Sequence, residues 1–109
     1  MNKLGKKGKA NAAALRIQRL AFAEARIFIC EGRWQGCLGT YTVGFAHTKK
    51  RVDLSPDELT YAVCLLCTSC HNRIEMPGDH AAMEQAIRYI ILGREATGAF
   101  FDRAREVVR

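Results

Sequence analysis

Two pairs of cysteines constrain the fold of this chain more than any other feature. Six residues separate Cys30 from Cys37, and two residues separate Cys67 from Cys70, which lie about thirty residues further along. A Cys-x2-Cys pair in a tight turn points both thiolates at one tetrahedral metal ion such as zinc. The four cysteines therefore predict one closed structural zinc site that joins two distant segments. The alternative, four unrelated buried thiols, does not explain the paired spacing.

Chain length and cysteine content agree with a small metal-stabilised domain. A chain of 109 residues is enough for one domain, whose limited core a metal would reinforce. Five cysteines, an odd number, favour thiols and a metal over disulfides, and Cys64 is interpreted as an ordinary buried thiol. We find neither a membrane-spanning apolar stretch nor a signal-peptide pattern. The sequence therefore predicts a cytoplasmic protein without a membrane partner.

The net charge of +6 is concentrated at one end of the chain. Residues 1–26 contain seven basic residues and one acidic residue, whereas residues 27–109 are balanced. Residues 1–10 are predicted to be a disordered basic arm, and residues 11–109 a single domain. Such an arm is typical of proteins that bind a polyanion such as nucleic acid, although a solubilising tail has the same composition.

Local patterns predict a mixed α+β chain. Asn11 is a candidate cap of the first helix, and the run from Ser55 to Glu58 has the form of a capping box. Asp79 is a candidate cap near the C-terminal end, and Gly93 a helix stop. The predicted elements are, in order, a helix over 11–26, a strand over 39–47, a short helix after Ser55, a strand over 62–66, a helix carrying His71 and Glu75, and helices over 79–92 and 98–108.

The order of motifs resembles that of the HNH nucleases. The shared elements are Cys30-x6-Cys37, a strand ending in Ala46-His47, a basic loop, a second strand and Leu66-Cys67-Thr-Ser-Cys70-His71-x3-Glu75. The resemblance covers about residues 30–76 and is greatest to small HNH proteins of bacteriophages and prophages. It implies a ββα-metal motif on a treble-clef zinc scaffold, with one helix before it and two after it.

The resemblance also implies a catalytic role for three side chains. His47 corresponds to the general base that activates water for attack on a phosphodiester. His71 corresponds to a ligand of a divalent ion on the scissile phosphate, and Glu75, one helical turn later, to a further ligand suited to Mg²⁺ or Mn²⁺. Each residue also has a simpler interpretation. His47 is then only a histidine at the end of a strand, and His71 is a polar helix residue or a zinc ligand in place of one cysteine. Glu75 is then a solvated carboxylate.

Two positions depart from the HNH pattern. Many of these nucleases have Asp or His immediately before the general base, where this chain has Ala46. The Asn that usually orients the base would fall near Ala62, which has no polar side chain. Thr60, Tyr61 or a backbone carbonyl can take over that hydrogen bond.

Basic residues in two segments are candidates for phosphate contacts. Those after His47 are equally compatible with a solvated turn. His80, beside a predicted helix cap, is interpreted as a surface residue, and Trp34 and Phe45 as core residues. The candidate nucleic-acid contacts are Lys6, Lys7, Lys9, Lys49, Lys50 and Arg51.

Three functions are compatible with these features. The favoured one is an HNH-type, metal-dependent DNA endonuclease or nickase that hydrolyses phosphodiester bonds. The second is a catalytically degenerate, zinc-built module of phage origin that binds DNA without cutting it. The third is a protein-interaction accessory. Nothing in the sequence selects an oligomeric state.

Overall fold

A computed structural model of the chain describes residues 6–49 and 53–109, with the backbone alone for residues 6–8. Within these ranges the chain forms five helices and one two-stranded antiparallel sheet, the mixed α+β architecture that the sequence predicts. None of the described helices has both the length and the hydropathy needed to cross a bilayer. The elements are α1 (Lys6–Glu24), β1 (Val43–His47), α2 (Pro56–Tyr61), β2 (Val63–Cys67), α3 (Thr68–Glu75), α4 (His80–Leu92) and α5 (Ala99–Val108).

Strand β2 lies at the centre of the core. All five of its residues are buried, because its two faces pack against different clusters. Cys64 and Leu66 belong to one cluster, and Val63 and Leu65 belong to the other, as the two-residue period of a strand requires. The first cluster includes Ile87, Ile91, Ala104 and Val108 of α4 and α5, and the second includes Phe22 of α1 and Phe101 of α5.

The register of the sheet places His47 and Cys67 at its opposite ends. His47 pairs with Val63 at one end, and Val43 pairs with Cys67 at the other. The carboxyl end of β1 therefore lies beside the junction of α2 and β2, where the N–H of Thr48 donates to the carbonyl of Ala62 at 3.4 Å.

The predicted helix caps at two positions are confirmed. Ser55 and Glu58 form the reciprocal capping box of α2, and Asp79 accepts a hydrogen bond from the N–H of Ala82 at the start of α4. Both helices begin where these short-range signals place them, because a cap satisfies N–H groups that are close in sequence.

The prediction for the N-terminal segment was wrong in one respect. Helix α1 begins at Lys6, so residues 6–10 are helical and Asn11 lies inside the helix instead of capping it. Lysine and alanine are good helix formers, and the single Gly8 costs too little to stop a helix that continues into an alanine-rich run. The rest of the predicted arm, residues 1–5, lies outside the described residues.

The first strand is shorter than predicted. It begins at Val43 instead of residue 39, because Gly39 and Thr42 have positive φ angles of 66° and 52°, which no strand accommodates. Tyr41 consequently lies outside the strand and is exposed. The second strand is displaced by one residue from its predicted position.

A buried ion pair joins the loop after α1 to the end of α4. Arg94 Nε donates to Glu31 Oε2 at 2.7 Å, and Arg94 Nη2 donates to Glu31 Oε1 at 3.0 Å. The same Nη2 donates to the carbonyl of Val63 at 2.7 Å, and the N–H of Leu65 donates to Glu31 Oε1 at 2.9 Å. The pair therefore forms hydrogen bonds with the backbone on the edge of β2 that does not pair with β1.

Aromatic rings enclose the arginine of this pair. The Arg94 guanidinium carbon lies 5.0 Å from the ring centroid of Phe22 and 4.9 Å from that of Phe101, and only 2% of its side chain is exposed. Cation–π attraction adds to the hydrogen bonds in this apolar setting. Neither charge could be buried here without the other.

We expect Arg94→Met to destabilise the metal-loaded protein by about 3–5 kcal/mol, because it leaves the Glu31 carboxylate buried without its partner. Arg103→Met removes the same charge from an exposed position and is expected to have little effect. Urea unfolding of the two variants measures the difference. Equal losses would show that the buried pair contributes no more than a surface pair.

Candidate metal centre and adjoining cleft

The four cysteines of the two pairs meet at one point. The sulfur atoms of Cys30, Cys37, Cys67 and Cys70 all lie within 4.8 Å of one another. The sulfurs of Cys37 and Cys67 are 3.9 Å apart, close to the roughly 3.8 Å that tetrahedral Zn–S bonds of about 2.3 Å imply. Within the described ranges, this is the group of three or more ligating side chains that can hold a metal ion such as zinc.

The second pair takes its position from the junction of β2 and α3. Cys67 is the last residue of β2 and the N-cap of α3, and its sulfur accepts a hydrogen bond from the N–H of Cys70 at 3.4 Å. The N–H of Leu38 donates to the same sulfur at 3.4 Å. Because these N–H groups favour the thiolate, the backbone prepares the ligands for a cation.

The first pair is held by a glycine-containing loop. Gly36 precedes Cys37 with a φ of 83°, a conformation that glycine adopts without a steric cost. Gly39 donates its N–H to the sulfur of Cys37 at 3.4 Å and accepts the N–H of Cys30 at 3.0 Å. Gly39 is therefore hydrogen-bonded to both Cys30 and Cys37.

The protonation of the sulfurs depends on their surroundings. Burial by itself raises the pKa of the Cys67 thiol, but the N–H groups of Leu38 and Cys70, with two neighbouring thiols, lower it to about 6. Burial and the surrounding thiols raise the pKa of Cys70 to about 12. Four thiolates cannot share so small a volume without a cation. Metal binding is therefore expected to release protons and to weaken as the pH falls.

Cys64 is separate from this group, as the sequence predicts. Burial, followed by the nearby Glu31 carboxylate, raises the pKa of its thiol well above the ordinary value, so the thiol remains neutral. It packs in the cluster that contains Ile87 and Ile91. His71 is not one of the four ligands either, because cysteines occupy all four positions.

A cleft of about 470 Å³ lies beside α3. The chain has three histidines, and all three line this cleft. His80 is exposed, as predicted for a surface residue, but its place in the cleft was missed, because it depends on how α4 packs against α3. The lining residues are Phe45, Ala46, His47, Lys49, His71, Ile74, Glu75, Gly78, Asp79, His80 and Met83.

His47 is buried and held by two groups outside the strand that carries it. Its Nε2 lies 3.2 Å from the carbonyl oxygen of Leu59 and 3.1 Å from Oε1 of Gln18 on α1. A carbonyl oxygen only accepts, so Nε2 carries a proton and donates it to these oxygens. The backbone carbonyl of Leu59 and the side chain of Gln18 therefore orient the ring, a contact that the side chain of Ala62 cannot make.

His71 and Glu75 lie on one face of α3, one turn apart. His71 Nε2 is 3.1 Å from Glu75 Oε1, and the two side chains are 35% and 54% exposed. A nitrogen and a carboxylate oxygen at this separation can bind one divalent ion as two ligands, leaving other positions for water or a substrate. Ala46 is buried in the core and offers no ligand.

The candidate phosphate contacts fall into two groups. Lys49 is exposed and lines the cleft, and Lys9 is exposed on α1. The backbone of Lys6 and Lys7 is helical, but their side chains lie outside the description, as do Lys50 and Arg51 altogether. The two expected core residues, Trp34 and Phe45, are partly buried against the two main clusters.

We expect Cys37→Ser to abolish stoichiometric metal binding and to unfold the domain, because structural zinc sites contribute on the order of 10 kcal/mol or more to folding. Cys64→Ala is the matched control, since it removes a buried thiol that is not a ligand. It should retain the metal and lose only about 1 kcal/mol for the small cavity. Elemental analysis and thermal unfolding measure both effects. Full metal content in Cys37→Ser would exclude this tetrad as the site.

Compared with models of protein families, with curated proteins and with solved structures, the chain matches none of them. Its function has therefore to be argued from the tetrad and the cleft.

Proposed function

We propose that the protein is a metal-dependent DNA endonuclease or nickase of the HNH type. One observation carries the proposal: His47, His71 and Glu75 line a single cleft beside the cysteine tetrad. Residues 43–75 form two antiparallel strands, with the short helix α2 between them, followed by α3, and this agrees with the strand–strand–helix order of the ββα-metal motif. Lys49 in the same cleft supplies a positive charge for a phosphate.

We further propose that the tetrad binds zinc and that the strands, α3 and the tetrad form a treble clef. The four-sulfur donor set and the N–H···S hydrogen bonds favour zinc over harder ions, which prefer oxygen. The role of this ion is structural, because four cysteines leave no position for water. It holds α3 against the sheet, and α3 carries His71 and Glu75.

His47 is the proposed general base. In its neutral form, the ring that donates from Nε2 is the base that takes the proton of the attacking water. The carbonyl of Leu59 and the amide of Gln18 stabilise the imidazolium that results, because both accept from Nε2. The ring is buried, so this orientation persists without substrate.

His71 and Glu75 are the proposed ligands of an exchangeable Mg²⁺ or Mn²⁺. Such an ion, when bound, supplies positive charge that stabilises the phosphorane-like transition state and the leaving oxygen. Two protein ligands are typical of magnesium sites that are completed by substrate phosphate and water. The hard carboxylate of Glu75 distinguishes this pair from the tetrad.

The degenerate alternative has one observation in its favour, namely that Ala46 stands where many HNH nucleases supply a further ligand and is buried in the core. A protein that binds DNA without cutting it would keep the tetrad and lose only the reaction. Binding that falls steeply with salt would distinguish this alternative from a protein-interaction role.

We expect His47→Ala to lower the rate of Mn²⁺-dependent plasmid cleavage by about 10²–10⁴-fold, because the proton acceptor is lost. Zinc content and DNA affinity should not change. Conversion of supercoiled plasmid to open-circular and linear forms measures the rate. Cleavage by His47→Ala at the parental rate, or no divalent-dependent cleavage by the parent, would contradict the nuclease and leave the DNA-binding module.

The role of Glu75 as an ion ligand is tested with one variant at this position and a control variant at Glu84. Glu75→Gln is expected to raise the Mn²⁺ concentration needed for half-maximal cleavage, because it weakens one ligand. Glu84→Gln is the matched control, since Glu84 also belongs to an i,i+4 pair but lies outside the cleft. If both variants need the same Mn²⁺ concentration as the parent, Glu75 is a solvated carboxylate and not a ligand.

A further inference from the structure

A second cavity, of about 690 Å³, lies away from the cleft, between the loop after α1 and the carboxyl end of α4. Its walls combine exposed rings with arginines. Its lining includes Arg26, Phe28, Glu31, Arg33, Tyr89, Arg94 and Glu95. We call this cavity the aromatic groove. None of the proposed catalytic residues belongs to it.

Two arginines of the aromatic groove occupy backbone positions that favour glycine. Arg26, with φ of 57°, ends α1 in a Schellman-type turn, in which the N–H of Ile27 donates to the carbonyl of Phe22 at 3.0 Å. Arg33 has a φ of 52°. Glycine would adopt either conformation at a lower cost. Of the three non-glycine residues with positive φ in the described ranges, two therefore line this groove.

The guanidinium groups of these two residues are not used by the fold. In the part of the chain that the structure describes, Arg26 and Arg33 form no ion pair, whereas the arginines at 88, 94, 103 and 105 all do. Both residues are exposed. Non-glycine residues held in such sparsely populated backbone conformations are concentrated at ligand-binding and active sites.

The charge of the aromatic groove is positive. The Glu31 carboxylate is neutralised by Arg94, which leaves Glu95 as the one uncompensated carboxylate among the lining residues against Arg26 and Arg33. The whole chain carries +6 as well. A second copy of this chain would be repelled, so the complementary occupant is an anion.

Two residues that line the same groove have exposed aromatic rings. Phe28 is 57% exposed and Tyr89 is 81% exposed. Trp34, by contrast, packs against Gly32, where an added Cβ would lie 2.6 Å from the indole, so it belongs to the core. Exposed rings in the same groove as unpaired guanidinium groups fit unpaired bases, because the faces of bases in a duplex are already stacked.

We propose that the aromatic groove binds single-stranded nucleic acid, with bases stacked on Phe28 and Tyr89 and phosphates held by Arg26 and Arg33. The site goes beyond the proposed cleavage reaction, since it requires neither His47 nor a divalent ion. In a nuclease, it would hold an unpaired strand next to the cut duplex.

The test is fluorescence anisotropy of a labelled oligo(dT) with zinc-loaded protein and no added Mg²⁺ or Mn²⁺. Tyr89→Ala should weaken binding about 5- to 100-fold, the usual range for one lost stacking platform. Tyr41→Ala removes a ring that is 71% exposed and lies outside the groove, and this variant should bind like the parent.

Arg26→Gly is expected to change stability and oligonucleotide binding in opposite directions. It should raise the melting temperature by about 2–5 °C, because glycine suits the left-handed turn. It should also weaken oligo(dT) binding and make the salt dependence shallower by about 0.7 log unit for the lost phosphate. Arg109→Gly, at the exposed carboxyl end, is the control for charge alone.

The possible outcomes test binding in the aromatic groove separately from the proposed cleavage reaction. No binding of oligo(dT) by the parent, or parental affinity in both groove variants, would overturn the proposal. Equal binding of polyglutamate would point to an acidic peptide instead, and dimerisation abolished by Tyr89→Ala would assign the groove to a second copy. His47→Ala should bind oligo(dT) normally, so failure of the nuclease would be seen in cleavage alone.

Discussion

The convergence of four sulfur atoms is the constraint on which the other elements depend. Cys67 is at once the end of β2, the N-cap of α3 and a member of the tetrad, so strand, helix and metal-binding loop have one common point. The loop that carries Cys30 and Cys37 has no regular secondary structure of its own and is positioned by hydrogen bonds to these sulfurs and to β2. Because His71 follows Cys70 directly, the geometry of the cleft is set by the same cluster.

Much of the fold could be predicted from the sequence, since the relevant signals are short-range. The capping box at Ser55, the cap at Asp79 and the paired cysteines each involve residues that are close along the chain or chemically unambiguous. The wrong predictions concern the residues at which two elements begin. Helix α1 begins earlier than predicted because a glycine destabilises a helix only weakly. Strand β1 begins late, at Val43, because residues before it have left-handed backbone conformations, which composition does not reveal.

The missed features all require knowledge of how distant elements pack. Glu31 and Arg94 are 63 residues apart, and no pattern in either segment identifies the partner. Gln18 is 29 residues from His47 and looks like an ordinary helical residue until α1 is placed against α2. The roles proposed for His47 and His71 rest on a resemblance to a family motif, whereas their common cleft is a property of the folded chain.

The hydrogen bond from His47 to Gln18 has a consequence for dissection of the protein. Residues 30–76 contain the whole ββα segment, yet the imidazole is oriented partly from α1, and the opposite wall of the cleft comes from α4. A graft of residues 30–76 into another scaffold would transfer His47, His71, Glu75 and the carbonyl of Leu59, but neither Gln18 nor the wall formed by α4. The smallest unit that keeps the cleft intact therefore extends from α1 through α4, and it is longer than the segment that resembles a known motif.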